Sequence, residues 1–226
     1  MGRQFAGTVW GGVARVAALA VGCFALAHCS GPFAGKEYGP RVVEEGQPVP
    51  KGGGTYSVGK PYSINGQTYV PAENTSYRVE GIASWYGRDF HGRLTANGEV
   101  YDMHSISAAH TTLPMPSYVR VTNLDNGRSI IVRVNNRGPY HRNRVIDLSI
   151  GTANALDFYS RGIARVRVEY VGRAPLEGSD DAMLMATLRE GSPAPAPSKV
   201  MLAAAKPFIP AAASDAALSQ GSLHAR

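Results

Sequence analysis

Cysteine is almost absent from this 226-residue chain: there are two, Cys23 and Cys29, both within the first thirty residues. Everything downstream is without a thiol, which excludes a disulfide framework and a thiolate metal site there. The six histidines are scattered, and His104 and His110 stand six apart, which is not a ligand spacing on a helix or strand. No metal and no cofactor is expected. The signatures H-E-x-x-H, G-x-x-x-x-G-K-[ST] and G-x-S-x-G are all missing, so the chain offers no zincin, P-loop or nucleophile-elbow chemistry. Charge is modest: 18% of residues, with a formal excess of +6. The basic residues are spread out rather than clustered, which argues against nucleic acid as a partner.

Residues 1–28 join a short basic start (Arg3, with Arg15 further on) to the apolar, small-residue stretch VARVAALAVGCFALAH. That is the form of a bacterial secretory signal. It falls short of the roughly 20 apolar residues a spanning helix needs, although a single span built with its flanks is an alternative. LAHC, ending at Cys29, resembles a lipoprotein signal, in which the cysteine after cleavage carries the lipid. His28 departs from the small residue wanted there, and Cys23 after Gly22 is the other candidate. The expectation is a protein on the periplasmic side of the envelope, anchored to a membrane through Cys29; a soluble periplasmic protein is the alternative. Loss of residues 1–28 takes Arg3 and Arg15 with it and leaves 21 basic against 17 acidic residues. That balance suits an anionic polymer or a membrane surface.

Composition divides the remainder. Residues 29–54 are rich in Gly, Pro and charge and read as a linker. Residues 55–78 contain KPYSINGQTYVP, two alternating stretches around Asn65-Gly66, a strong hairpin signal. So small a hairpin is marginal alone and is expected to lean on a neighbour. Residues 79–171 carry six short runs rich in Val, Ile, Thr and Tyr, among them VEGIASWYG, SYVRVTNL, RSIIVRVNN and RVRVEYV, separated by turn residues. This predicts a mainly β domain, a closed barrel of six strands. One helix is expected in SIGTANALDFYSRG, capped by Ser149 and stopped by Gly162. Residues 172–226 turn to Ala, Pro, Ser and Gly and are expected to be disordered, with a transient helix over 180–190.

Polar residues that interrupt apolar strands near turns are the candidates for chemistry. Glu99 follows Asn97-Gly98, His110 closes SISAAH, and Asp147 ends RVID just before the helix. Two carboxyls and an imidazole at one groove fit general acid–base work on a glycosidic bond. Each also has a plain reading. Glu99 can be a solvated residue after a turn, His110 a histidine satisfied by backbone, and Asp147 a support for the helix N-terminus. Sugars present C–H faces to aromatic rings, and the loop GRDFHGRLTANG after Trp85-Tyr86 supplies aromatics beside Asn, Arg and Thr. Strand alternation turns one of that pair inward; Trp85 is expected inside and Tyr86 on the groove.

The run GIASWYG…FHGRLTANGEVYDM…SAAHTTLP…YVRVTNLDNGRSIIVRVNNRGPY…RVIDLS resembles the rare lipoprotein A (RlpA) family of bacterial cell-wall proteins. The likeness covers about residues 79–171. It implies a six-stranded double-psi β-barrel, with one or two short helices here, of the kind shared with expansins. It also implies an endolytic lytic transglycosylase, a carbon–oxygen lyase that cuts the bond between N-acetylmuramic acid and N-acetylglucosamine. Such enzymes leave 1,6-anhydro ends, prefer peptide-free glycan strands, and act in daughter-cell separation. Glu99, His110 and Asp147 take the places of catalytic residues, with Glu99 as the acid/base. Tyr86, Thr95, Asn97, Asn136 and Arg137 are the expected substrate contacts. Asn136 is the departure, because the family carries Asp there in R-[IV]-N-D-R-G-P. Asn transfers no proton but can still hydrogen-bond a sugar. The implied alternative is therefore a catalytically silent, expansin-like glycan-binding module. Many relatives end in a SPOR domain, which the Ala/Pro-rich tail does not resemble, so recruitment by division-site partners stays open.

Overall fold

The computed structural model describes residues 39–178 and 181–197. The expected signal, Cys23, Cys29 and residues 198–226 lie outside the described residues. Asn65 and Gly66 both take left-handed backbone, φ 51° and 73°, the conformation that a two-residue hairpin turn requires. They join β1 (Tyr62–Ile64) to β2 (Gln67–Tyr69), with Tyr62 directly opposite Tyr69. The hairpin does lean on a neighbour: Tyr62 Oη donates to Thr111 O at 2.8 Å.

The six expected runs form β3 (Arg78–Tyr86), β4 (Ser107–Ala109), β5 (Ser117–Asn123), β6 (Arg128–Asn136), β7 (Arg144–Ser149) and β8 (Ile163–Arg173). Their order is β4-β7-β3-β8-β5-β6, and β6 pairs back to β4, which closes the barrel. The pairs β3/β7 and β4/β6 are parallel and the others antiparallel. This is the six-stranded double-psi β-barrel. Alternation fills it: Val119 and Val121, Ile130, Val132 and Val134, Ile146 and Leu148, and Val166 and Val168 are all fully buried. Each such side chain is worth about 1.5–3 kcal/mol of burial.

Both parallel pairs carry a bulge, at Asn135 in β6 and at Val145 in β7. An extra residue shifts the alternation by one and re-aims the side chains beyond it. Arg144 and Asp147, three apart, would face opposite sides of a regular strand. With Val145 bulged between them, Arg144 Nη2 lies 3.2 Å from Asp147 Oδ2. Gly81 makes room for this, since a Cβ there would collide with Val145.

Helix α1 (Ile150–Ala155) starts where expected, with Ser149 Oγ accepting from Thr152 N at 3.1 Å. It is shorter than the sequence suggested. Leu156 and Phe158 are both fully buried, and two residues apart they would lie on nearly opposite faces of a continuous helix. The chain breaks instead, with Asp157 at φ 57° and a 3-10 turn over Tyr159–Arg161 that Gly162 closes at φ 76°.

The two flanks differ from expectation. Residues 39–54, read as linker, lie along the barrel. Val42 N and Val43 N donate to Gly92 O at 2.7 and 3.0 Å, and Lys51 Nζ reaches Ser105 Oγ at 2.6 Å and Asp181 Oδ2 at 2.9 Å. The tail is not disordered from 172 onward. Helix α2 (Asp181–Met185) is followed by β9 (Arg189–Glu190), which pairs with Arg128 and Ser129 of β6. Thr187 Oγ1 accepts from Ile131 N at 3.0 Å, and Leu184 and Ala194 are fully buried. A segment poor in apolar residues cannot order itself, but docking on a formed barrel needs only these few anchors. Among the described residues no helix is long and apolar enough to cross a membrane.

Candidate active site

Ala109 pairs with Asn136 on one side and with Asp147 on the other. The ends of β6 and β7 therefore flank the short β4, and the amide and the carboxyl stand either side of one alanine. Asp147 also pairs with Ser84 of β3. Its side chain is 14% exposed, one oxygen faces Arg144, and Oδ1 is buried with no hydrogen-bond partner. Burial pushes the Asp147 carboxyl up, and the Arg144 and His141 charges oppose this only in part. It binds a proton more readily than an ordinary aspartate.

Glu99 is the opposite case. Arg133 Nε donates to Oε2 at 3.0 Å, Arg133 Nη2 donates to Oε1, and Asn97 Nδ2 and Asn135 Nδ2 each donate at 2.9 Å. Burial alone would raise this carboxyl, but the Arg133 guanidinium and the two amides outweigh it and hold Glu99 below its usual value. Gly54 lies over it so closely that a Cβ there would sit 2.8 Å from Glu99 Cγ. The expectation that Glu99 supplies the proton is at odds with this geometry, because a carboxylate facing four donors has no proton to give. Val100 beside it makes an isolated bridge to Leu94. A cavity of about 20 Å³ beside it, lined by Gly52, Ser107 and Asn135, has room for one water.

His110 takes its plain reading. Its Nδ1 accepts from Thr112 N and Leu113 N at 3.1 and 3.0 Å, so Nε2 carries the hydrogen that meets Tyr77 Oη at 2.8 Å. Burial, aided by the Arg137 charge, pushes the imidazole down to about 3. It is a neutral brace. Arg137 is likewise committed: it donates to the carbonyls of His110, Leu113 and Val58 at 3.1, 2.6 and 2.6 Å. Thr95 Oγ1 donates to Asn97 Oδ1 at 2.8 Å, so Thr95 and Asn97 serve Glu99 and do not face a groove. Asn136 is half-exposed, and its Oδ1 accepts from Ala96 N and Arg137 N at 3.0 and 2.9 Å. Two N–H donors aimed at one oxygen would hold an aspartate in that place ionised.

Trp85 packs against the barrel core as expected, but it is Tyr86 that is the more deeply covered of the pair. Tyr86 is buried, stacked on Tyr101 at 4.3 Å and met edge-on by Phe90 at 5.5 Å. Trp85 is the half-exposed one, against Tyr159 at 4.7 Å. The cause is the loop 88–104, which folds back over the outer barrel wall and builds a second small core from Tyr86, Tyr101, Met103 and Ala109. Tyr86 Oη is left without a partner in that core, in the neighbourhood of Ser107, Asn136 and Asp147. Sequence reasoning missed Arg133, Asn135, Arg144 and Tyr101. One signal was present: an arginine inside the apolar run IIVRV calls for a buried carboxylate.

A family model described as lytic transglycolase matches residues 78–168. The endolytic peptidoglycan transglycosylase RlpA of Pseudomonas aeruginosa is 46% identical over 179 residues, 79% of this chain and 48% of that protein. The protein of the same name from Vibrio cholerae is 52% identical over 119 residues, 51% of this chain and 45% of its own length. The chain thus spans about half the length of these curated relatives. Among solved structures, the expansin of Clavibacter michiganensis is 17% identical, covering 44% of this chain and 52% of its own, at a TM-score of 0.34, which is too slight to argue from.

Proposed function

Because the barrel of this chain belongs to the RlpA family, we propose that the protein is a lytic transglycosylase that cuts the β-1,4 bond between N-acetylmuramic acid and N-acetylglucosamine in glycan strands. The observation that carries the mechanism is Asp147: a carboxyl raised by burial, with Oδ1 unpartnered, across Ala109 from Asn136. In its protonated form, which burial favours, Asp147 gives its proton to the glycosidic oxygen as the C1–O bond breaks. The carboxylate left behind takes the proton of the same muramic acid's 6-hydroxyl, whose oxygen closes on C1. The product is a 1,6-anhydro end and a free 4-hydroxyl, and no water is consumed. One carboxyl serves both transfers, so a neutral Asn136 is compatible with turnover as a hydrogen-bond partner for a sugar hydroxyl. Glu99 acts at one remove, since its ion pair with Arg133 and its bonds to Asn97 and Asn135 hold the loop beneath the site.

A substrate of this kind places the protein on the periplasmic side of the envelope. Attachment through a lipid on Cys29, a preference for peptide-free strands and recruitment to the septum by division-site proteins extend the same reading. Asn136 favours a second reading, a glycan-binding module without cleavage. Digestion of purified peptide-free strands, followed by mass spectrometry, separates the two: anhydro-muramic ends are expected, and Asp147→Asn should remove them. Product from Asn136→Asp alone, with none from the parent, would establish the module instead.

A further inference from the structure

Three tyrosines meet where the N-terminal hairpin touches the barrel. Tyr62 and Tyr69 stack at 5.3 Å across the β1/β2 pair, and Tyr140 lies 6.2 Å from the first and 5.9 Å from the second. All three stay half-exposed, unlike Tyr86 and Tyr101 in the loop core. Their placement is held from below. Arg137 pins the segment Arg137–Tyr140 to the carbonyls of His110 and Leu113 and, through Val58, to the chain leading into the hairpin. Within that loop, a Cβ at Gly138 would touch Ala109 at 3.7 Å. The loop therefore starts on the alanine that separates Asn136 from Asp147 and ends at the tyrosines. Four residues from Asn136 to Tyr140 reach at most about 14 Å, a distance that a short stretch of glycan crosses.

We propose that Tyr62, Tyr69 and Tyr140 form an accessory sugar subsite, which takes a pyranose ring of the strand whose bond lies at Asp147. This rests on the reading of the protein as glycan-cleaving. The chemistry of the patch selects the uncharged face of a sugar ring over a charged group. Burial keeps the Tyr62 and Tyr140 phenols protonated, and the cation beside them, Arg137, is already committed to three carbonyls. With the Tyr62 hydroxyl donated to Thr111 O, what remains at the surface is chiefly ring faces, the feature that the C–H faces of a sugar ring match. Tyr69 is the ring to test, because the described side-chain hydrogen bonds of the hairpin are made by Tyr62, Ser63, Gln67 and Thr68.

The experiment measures the binding of the full chain to peptide-free glycan strands sorted by length, with cleavage followed in parallel. The parent should bind long strands more tightly than short ones. Tyr69→Ala should lose about tenfold of that preference, the effect of one ring contact worth about 1.4 kcal/mol. Tyr69→Phe should retain it, and Tyr140→Leu, which keeps apolar bulk at the joint, should lose a similar amount. A drop for long and short strands alike would mean that the rings only seat the hairpin, and it would overturn the subsite. An unchanged preference would do the same. A parent that shows the length preference without making anhydro ends would sink the catalytic reading and leave the subsite standing. A parent that cleaves, with a Tyr69→Ala variant that keeps its length preference, would do the reverse.

Discussion

Replacing Glu99 by Gln removes the counter-charge of a guanidinium that is itself wholly enclosed. Arg133 has no exposed side-chain surface and Glu99 only 6%. Two Arg133 donors meet the carboxylate, a third bond runs from Nη2 to Pro175 O at 2.8 Å, and Nη1 is already without a partner. Gln keeps the shape but turns one acceptor into a donor, so an N–H faces Arg133, Asn97 or Asn135. Charged hydrogen bonds contribute about 1.5–3 kcal/mol each, and breaking one side of a buried pair costs about 3–5 kcal/mol. For a domain of this size that corresponds to a melting temperature lowered by about 6–20 °C, read by circular dichroism at pH 7 and checked by urea titration. The difference should also depend on pH. Because Glu99 is held below its usual 4.5, its stabilisation is complete above that value and fades as pH falls through the folded value. The two proteins should therefore converge in acid. A loss under about 1 kcal/mol at pH 7, the range of exposed pairs, would refute the enclosed ion pair and return Glu99 to the groove.

Asp147→Asn should abolish anhydro ends while leaving stability at pH 7 within about 1 kcal/mol of the parent, since the amide keeps the shape of a carboxyl whose charged form burial already disfavours. Arg144→Leu takes away the cation that restrains Asp147, so the alkaline limb of the activity profile should move to higher pH; a limb that stays in place would separate it from Asp147. The His110 imidazole, pushed down to about 3, is protonated in the unfolded chain below 6.5 but not in the folded one. Stability should consequently fall by up to about 1.4 kcal/mol per pH unit below 6.5, and urea midpoints of His110→Gln should lack that component.

The strands were legible because their physics is local. Alternation in SYVRVTNL, RSIIVRVNN and RVRVEYV marks one buried face, and Asn65-Gly66 can hardly be read as anything but a turn. The candidate site was legible only as a set of positions. Asp147 and Asn136 meet through a register that depends on bulges at Val145 and Asn135, and neither residue type announces a bulge. The chemistry of Glu99 turned on Arg133, thirty-four residues away, so a solvated carboxylate and a locked one look alike in sequence. Tyr86 was misassigned because alternation describes a strand against its own barrel, whereas the loop carrying Tyr101 adds a second surface on the outer side. The flanks were misread because low apolar content argues against folding alone, not against docking.

The short β4 leaves a consequence for handling the protein. On β6 it reaches only Arg133–Asn136, so the first half of β6 would present a bare row of amides and carbonyls beyond its reach. Thr187, β9 and Ala194 N, which donates to Ser129 Oγ at 3.1 Å, cover that row. An uncovered strand edge is a template for another chain. A fragment trimmed to residues 78–168 would keep every barrel strand except the end of β8, and it would lose this cover. Such a fragment should self-associate through β6, whereas one carried to residue 197 should stay monodisperse in light scattering at the same concentration.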